Sequence, residues 1–255
     1  MKNKKDLPAY HRVYLNDYGF EAEIVQARQR MILDVLKILK PTTILEVSCG
    51  PELLYQRARA SGIPIKKWVI VEADAKFSDM ARRSLGKDKK VHVLHALFEN
   101  AAAEIKRHCP EPIDLIILAG ILNEAEQPRV LLETARELLS PRGKLHANVP
   151  NASSLHRRLG KTMGLIQNEK GLSERNTKFH QQNFDMDSFK KLVSDCGFRI
   201  EETGGYFLKP FAHHQMSAIK KILTADVLNG LWLLGRQYPD WSTEIYLNAK
   251  LKNER

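Results

Sequence analysis

The chain has 255 residues, 43% of them hydrophobic and 27% charged, with a formal charge of +10. That length can bury one sizeable core, and with no apolar run of about 18 residues and no apolar stretch behind the N-terminal lysines, neither a spanning helix nor a signal peptide is expected. Three widely spaced cysteines, Cys49, Cys109 and Cys196, argue against a disulfide framework and a zinc site and fit a reducing, cytoplasmic compartment.

Residues 1–20 interleave polar residues with Tyr10, His11, Tyr14, Tyr18 and Phe20. They read as a lid-like segment before a helix over 22–39, on which Ile24, Ile32, Val35, Leu36 and Leu39 recur at helical spacing until Pro41 ends it. The tyrosines either close over a ligand or pack the helix onto a sheet. The next stretch, TILEVSCGPELL over 43–54, reads as a buried strand that stops in a tight turn and restarts as a helix. Glu46 is the one carboxylate in that strand and must be solvated, paired or used. Ser48, Cys49 and Gly50 are small enough to let a ligand approach the backbone, and Pro51 suits a first helical turn. The three spaced glycines of a dinucleotide fingerprint are not present, because Ser48 and Glu52 stand in the outer places.

A helix to Ala60, a break at Gly62 and Pro64, and a strand from Trp68 to Val71 complete a strand–helix–strand unit, which lays its strands parallel. A helix over 75–85, a strand at 91–94, a helix to His108 and the continuous apolar run Ile113 to Ala119 follow, the last fitting a central strand buried on both faces. An amphipathic helix over 128–139 leads through Pro141, Arg142 and Gly143 to a fifth strand at 144–149. Residues 152–183 show no clear period and read as a loop with one or two short helices over the strand ends. A helix ending at Gly197, strands at 198–207 and 242–251, and a helix from about 216 to 235 close the chain. That last helix either packs its apolar half on the core, walls a pocket, joins two subunits or lies on a membrane surface. The pattern is a doubly wound α/β layout with seven strands.

Candidate ligand sites fall at consecutive strand C-termini, where open α/β sheets bind ligands. Glu72 lies 22 residues after Gly50, close to the interval at which an acid accepts hydrogen bonds from ribose hydroxyls. At this point ILEVSCGP, VIVEAD, IDLIILAGILNEAEQPRVLLETARELLSPRGKL and VPN resemble the class I S-adenosylmethionine-dependent methyltransferases, well over 40–150 and more loosely over 180–250. The resemblance implies a seven-stranded, mostly parallel, Rossmann-like sheet and S-adenosyl-L-methionine as cofactor. It places Glu46, Ser48 and Gly50 at the methionine part, Glu72 and Ala73 at the ribose, Ala96 and Leu97 at the adenine, and Ala119 and Gly120 beside the methionyl backbone. The chain departs from the family at Ser48 and Glu52, where glycine is usual, and at Asn123-Glu124, where many small-molecule members carry a histidine. The NPPY type of tetrad found in nucleic-acid amino methyltransferases is absent.

The tail sequences VPNASSLHRRLGKTMG, HQQNFDMDSFKKLVSDCGF and YFLKPFAHHQM look like a bacterial group associated with polysaccharide gene clusters, which implies a sugar, sugar nucleotide or glycan intermediate as acceptor. One domain is expected over 1–255, with a helical lid at 1–40, a cofactor-binding half at 41–150, an acceptor-side insert at 151–183 and C-terminal elements at 184–255. The charge is spread evenly, 24 basic against 19 acidic residues over 1–150 and 16 against 11 over 151–255, with no basic arm, which argues against nucleic acid. The local basic concentration is Arg157, Arg158, Lys161, Lys170, Arg175 and Lys178, against Glu169 and Glu174, and it suits a phosphate-bearing small acceptor or is merely solvated.

Methyl transfer from a sulfonium is an in-line displacement that needs no metal, and a hydroxyl acceptor is helped by a base. His180, in the loop before the 184–196 helix, is the first candidate general base, followed by His156 and His213, while His146 reads as a strand residue. The acceptor atom is O or N. RNA methylation and a methyltransferase fold serving only as a binding or scaffold module are the alternatives, and oligomeric state stays open.

Overall fold

The computed structural model describes residues 19–169, 171 and 182–252. The fold is a seven-stranded sheet flanked by helices, with strand order β3-β2-β1-β4-β5-β7-β6. The strands are β1 (Thr43–Val47), β2 (Lys67–Glu72), β3 (Val91–His95), β4 (Ile113–Ala119), β5 (Leu139–Pro150), β6 (Phe198–Tyr206) and β7 (Glu244–Leu251). The first five pair in parallel, and β7 enters antiparallel between β5 and β6. The helices are α1 (Glu21–Leu39), α2 (Leu54–Ala60), α3 (Ala75–Leu85), α4 (Ala102–His108), α5 (Pro128–Leu138), α6 (Leu155–Thr162), α7 (Met186–Asp195), α8 (His213–Ile219) and α9 (Ala225–Gln237).

Alternation along the strands divides the core. Leu45, Val47, Val69, Val71, Ile116 and Leu118 belong to one buried cluster and Ile44, Ile70, Trp68, Leu115 and Ile117 to another, so these strands are apolar on both faces and need helices on both. Each fully buried Leu or Ile adds roughly 1.5–3 kcal/mol, so the central strands carry a large share of the burial energy. A third cluster joins α1 to the C-terminal elements through Phe20, Ile24, Met31, Phe207, Met216 and Trp232. Asp114 pins the register: its Oδ2 accepts hydrogen bonds from the backbone N–H of Thr42 (2.8 Å) and Thr43 (3.0 Å) and from Thr42 Oγ1 (2.9 Å). Because β1 leads outward to β2 and β3 while β4 and β5 lie on its other side, the crevice of a doubly wound sheet opens at the C-terminal ends of β1 and β4.

Three expectations are corrected. Pro51 does not open a helix, since α2 begins at Leu54 after an extended Leu53. The segment 141–143 lies inside β5 as an irregularity, with Ile113 opposite Leu139 and Leu115 opposite Lys144; a Cβ on Gly143 would stand 2.7 Å from the Ile113 carbonyl oxygen, so the strands crowd there without a loop. The single helix over 216–235 is two, because Thr224 caps a new start by accepting the Val227 N–H on its hydroxyl (3.3 Å).

Candidate functional site

The turn after β1 is built by Glu72 from the neighbouring strand end. Its Oε2 accepts hydrogen bonds from the backbone N–H of Cys49 (2.9 Å) and Gly50 (3.3 Å), and its Oε1 from that of Asp74 (2.9 Å). One buried carboxylate therefore supplies the acceptor for two successive strand-end turns. Burial pushes its pKa up while the donated N–H bonds pull it back. Ser48 (φ +65°) and Gly50 (φ +57°) both take left-handed backbone. That is the conformation in which glycine is free of penalty, so the serine stands where a glycine fits better.

Glu46 is buried and its Oε2 accepts a hydrogen bond from Trp68 Nε1 at 2.8 Å. Burial raises its pKa to about 8, against the pull of Trp68, with Glu72 adding to the rise. A buried carboxyl whose pKa is raised in this way is favoured in its ionised form by a cation bound beside it, so this group suits a positively charged ligand.

A cavity of about 530 Å³ opens from this turn across the end of β4. Its cofactor-side wall includes Glu46, Ser48, Gly50, Glu52, Ala119 and Gly120. Five of the residues expected from sequence to hold a cofactor therefore meet on one wall, and Glu52 lines the cavity beside them. Four others do not line it. Glu72 is buried behind the turn, Ala73 and Leu97 are exposed and Ala96 is half-buried, on a shelf where Ala96 N–H donates to the Glu72 carbonyl at 3.1 Å.

The facing wall comes from α1. Arg28 projects from the apolar side of that helix and donates through Nε to Glu244 Oε2 at 2.9 Å and through Nη2 to Glu244 Oε1. Glu244 also accepts hydrogen bonds from Asn148 Nδ2 (2.8 Å) and from the Tyr206 hydroxyl. Burial opposes the charge on Arg28, but Glu244 outweighs it and holds the guanidinium above its ordinary range. Gly120 (φ +68°) sits under this group, and a Cβ there would lie 3.4 Å from the guanidinium carbon. Gln29 closes the corner by donating to the Glu52 carbonyl at 2.8 Å.

The far end is formed by α6, Asn183 and the connection from β6 to α8, and is lined by Asn123, Asn151, Asn183, His156, Lys209 and His213. His156 Nδ1 lies 3.1 Å from Ser154 Oγ, which leaves Nε2 as the ring nitrogen open to a ligand. Burial, followed by the charges of Lys209, Arg157 and His213, pushes its pKa down to about 2, so the ring is neutral. His213 Nδ1 stands 3.9 Å from Glu21 Oε2. His180, the first candidate base, and Tyr10, Tyr14 and Tyr18 lie outside the described residues. His146 is a buried strand residue, as expected, with Nδ1 2.8 Å from Asn248 Oδ1.

Within the basic 151–183 segment, Arg157 Nε donates to the carbonyls of Ala152 (3.1 Å) and Glu169 (2.5 Å), Arg158 Nε donates to the Ser153 carbonyl (2.6 Å), and Lys161 pairs with Glu169 at 3.3 Å. Those three cations tie the insert together; Lys170, Arg175 and Lys178 lie outside the described residues. Arg28, Lys209 and Glu244 were missed from sequence. Arg28 carried a signal, an arginine four residues from both Ile24 and Ile32 on an apolar helix face, whereas Glu244 carried none.

A family described as methyltransferase domain matches residues 20–203, well over half of the chain. Comparison with curated proteins gives no match. Among solved structures, the plantazolicin methyltransferase BamL, in complex with a triazolic desmethylPZN analog and SAH, is 15% identical with a TM-score of 0.62, covering 98% of this chain and 96% of that one. The methyltransferase domain of bacterial CtHen1 is 11% identical at TM-score 0.57, covering 89% and 97%. An S-adenosylmethionine-dependent methyltransferase from Mesorhizobium loti is 15% identical at TM-score 0.54, covering 85% and 96%. At these identities the likeness is one of fold.

Proposed function

We propose an acceptor class for this chain, which belongs to the family of methyltransferase domains and takes its methyl group from S-adenosyl-L-methionine: a small, polyhydroxylated molecule of the sugar, sugar-nucleotide or glycan-intermediate kind, methylated on O or N. The observation that carries this reading is the polar lining of the cavity's far end, where Asn123 and Asn183 meet His156 and Lys209. Such side chains both donate and accept hydrogen bonds, as hydroxyl groups demand.

The cofactor wall fits its ligand. The left-handed turn at 48–50 and Gly120 give backbone close approach, and Glu46 offers a carboxyl where a cation is to be held. When bound, the sulfonium supplies an activated methyl carbon. The chain's own work is to hold the methionyl end between the turn and Gly120, to orient the acceptor and to keep water out. Arg28, fixed by Glu244, is placed to meet a carboxylate beside Gly120. His156, neutral and steadied by Ser154, accepts the hydrogen bond of the acceptor hydroxyl through Nε2 and so orients its oxygen toward the methyl carbon, and the hydroxyl proton leaves to solvent. A protein of this fold acts on another acceptor, as the name plantazolicin methyltransferase records.

The test is transfer of a tritiated methyl group from S-adenosylmethionine to a panel of sugar nucleotides, sugar phosphates, total RNA and short peptides. Label is expected in a sugar-bearing fraction. Label confined to RNA or peptide overturns the acceptor class and leaves the methyltransferase assignment standing.

A further inference from the structure

A second hollow, of about 690 Å³, opens at the end of the sheet opposite the cofactor cavity. One wall is α2, with Gln56 and Arg59, and the other is the end of α3 and the loop that leads to β3, with Ser84, Lys87, Asp88 and Lys89. The Lys90 carbonyl accepts the Trp68 N–H at 2.8 Å, which sets this loop beside the N-terminal end of β2. The loop is fixed by its own backbone: the Asp88 N–H donates to the Leu85 carbonyl (2.8 Å) and the Val91 N–H to the Asp88 carbonyl (3.0 Å).

Asp88 is the one carboxylate on the wall, and it is already engaged. Its Oδ2 accepts the Tyr55 hydroxyl (2.6 Å) and Arg59 Nη1 (2.6 Å), and its Oδ1 accepts the Lys90 N–H (3.0 Å). Asp88 thus offsets Arg59 and leaves Lys87 and Lys89 uncompensated, for neither lysine forms an ion pair or a side-chain hydrogen bond among the described residues. Cations near helix C-termini answer the helix macrodipole, which accounts for Arg57 and Arg59 in the last turn of α2 and for Arg82 and Arg83 in that of α3. It does not account for Lys87 and Lys89, which follow Gly86 beyond the last turn. Gln56 and Ser84 add an amide and a hydroxyl, so the hollow presents donors and positive charge with no open carboxylate, the chemistry of an anion site. Cations on both walls suit a chain of phosphates better than a single one. The ring of Tyr55 is 1% exposed and offers no face for a base to stack on, so the phosphates are the part recognised.

We propose that this hollow is a second ligand site, for an oligophosphate group, free or as the phosphate tail of a nucleotide, held by Lys87, Lys89 and Arg59. It stands apart from the acceptor reading and from the cofactor cavity.

The test is calorimetric titration of the intact chain with tripolyphosphate, adenosine triphosphate and orthophosphate, each with and without saturating S-adenosylhomocysteine. Tripolyphosphate is expected to bind saturably, one per chain, roughly tenfold or more tightly than orthophosphate, less tightly as salt rises, and unaffected by S-adenosylhomocysteine. Equal binding of adenosine triphosphate assigns recognition to the phosphates alone, and tighter binding identifies a nucleotide as their source. The double variant Lys87→Gln/Lys89→Gln changes two exposed side chains and is expected to weaken tripolyphosphate roughly tenfold or more. An unchanged thermal unfolding transition is its fold control. No saturable binding of tripolyphosphate at millimolar concentration overturns the proposal, and so does equal binding by the double variant. Displacement by S-adenosylhomocysteine overturns it by moving the ligand to the cofactor cavity, as does retention of total RNA, lost in the double variant, without any binding of tripolyphosphate.

Discussion

Ser48 occupies left-handed backbone at φ +65°, in the turn on which the cofactor wall is built. For an L-residue that conformation costs roughly 1–2 kcal/mol relative to the right-handed regions. The serine hydroxyl returns little, since it lies 3.4 Å from Glu72 Oε2, at the long end of hydrogen bonding. Ser48→Gly removes the steric cost but gives the unfolded chain more freedom, worth roughly 0.4–1 kcal/mol. The net expectation is a gain of roughly 0.5–1 kcal/mol, or a rise in Tm of about 1–4 °C for a chain of this size. Ser48→Ala keeps the Cβ and gains nothing. The assay is thermal and urea unfolding of both variants beside the parent, without ligand. If Ser48→Gly is no more stable than Ser48→Ala, the turn is not strained as argued.

The remaining predictions concern the charged groups. Glu244→Ala leaves Arg28 as a buried, uncompensated cation and strips partners from Asn148 and Tyr206, so a loss of roughly 3–5 kcal/mol is expected by urea denaturation. Glu46, with its pKa raised to about 8 in the fold, binds its proton over a range where the unfolded chain has lost it. Its contribution is therefore present at acid pH and declines as pH rises from the ordinary carboxyl value through about 8, and Glu46→Gln should flatten this fall in a pH series of melting temperatures. His156→Ala is expected to lower kcat roughly 100-fold or more on the true acceptor with little change in cofactor affinity, and the parent's kcat should show no acid limb from this ring above pH 5, its pKa lying near 2. An acid limb near neutrality that vanishes in the variant would contradict the low pKa argued for this ring, and one that persists belongs to another group.

The cavity wall at the β1 turn was legible because its parts are local. The strand Thr43 to Val47, the small residues that follow and the apolar run Ile113 to Ala119 each carry their geometry in a few neighbouring residues, and the parallel topology sets them side by side. The facing wall was not legible, because its groups arrive from distant elements: Arg28 and Glu244 are 216 residues apart. Their pairing follows from α1 packing against β6, β7 and the C-terminal helices, a tertiary event with no local pattern. The basic segment misled for a related reason. Its charges looked available in sequence, yet the guanidinium groups of Arg157 and Arg158 hydrogen-bond backbone carbonyls that only the folded insert brings near.

The central claim is that the cavity between the β1 turn and Gly120 receives S-adenosylmethionine. Calorimetric titration of the parent and of Gly120→Val with S-adenosylhomocysteine tests it directly. A side chain at Gly120 must fit left-handed backbone and press on Arg28, so saturable binding of one ligand per chain is predicted for the parent, weakened roughly tenfold or more in the variant. No binding by the parent at millimolar ligand, or equal binding by both proteins, would contradict the account.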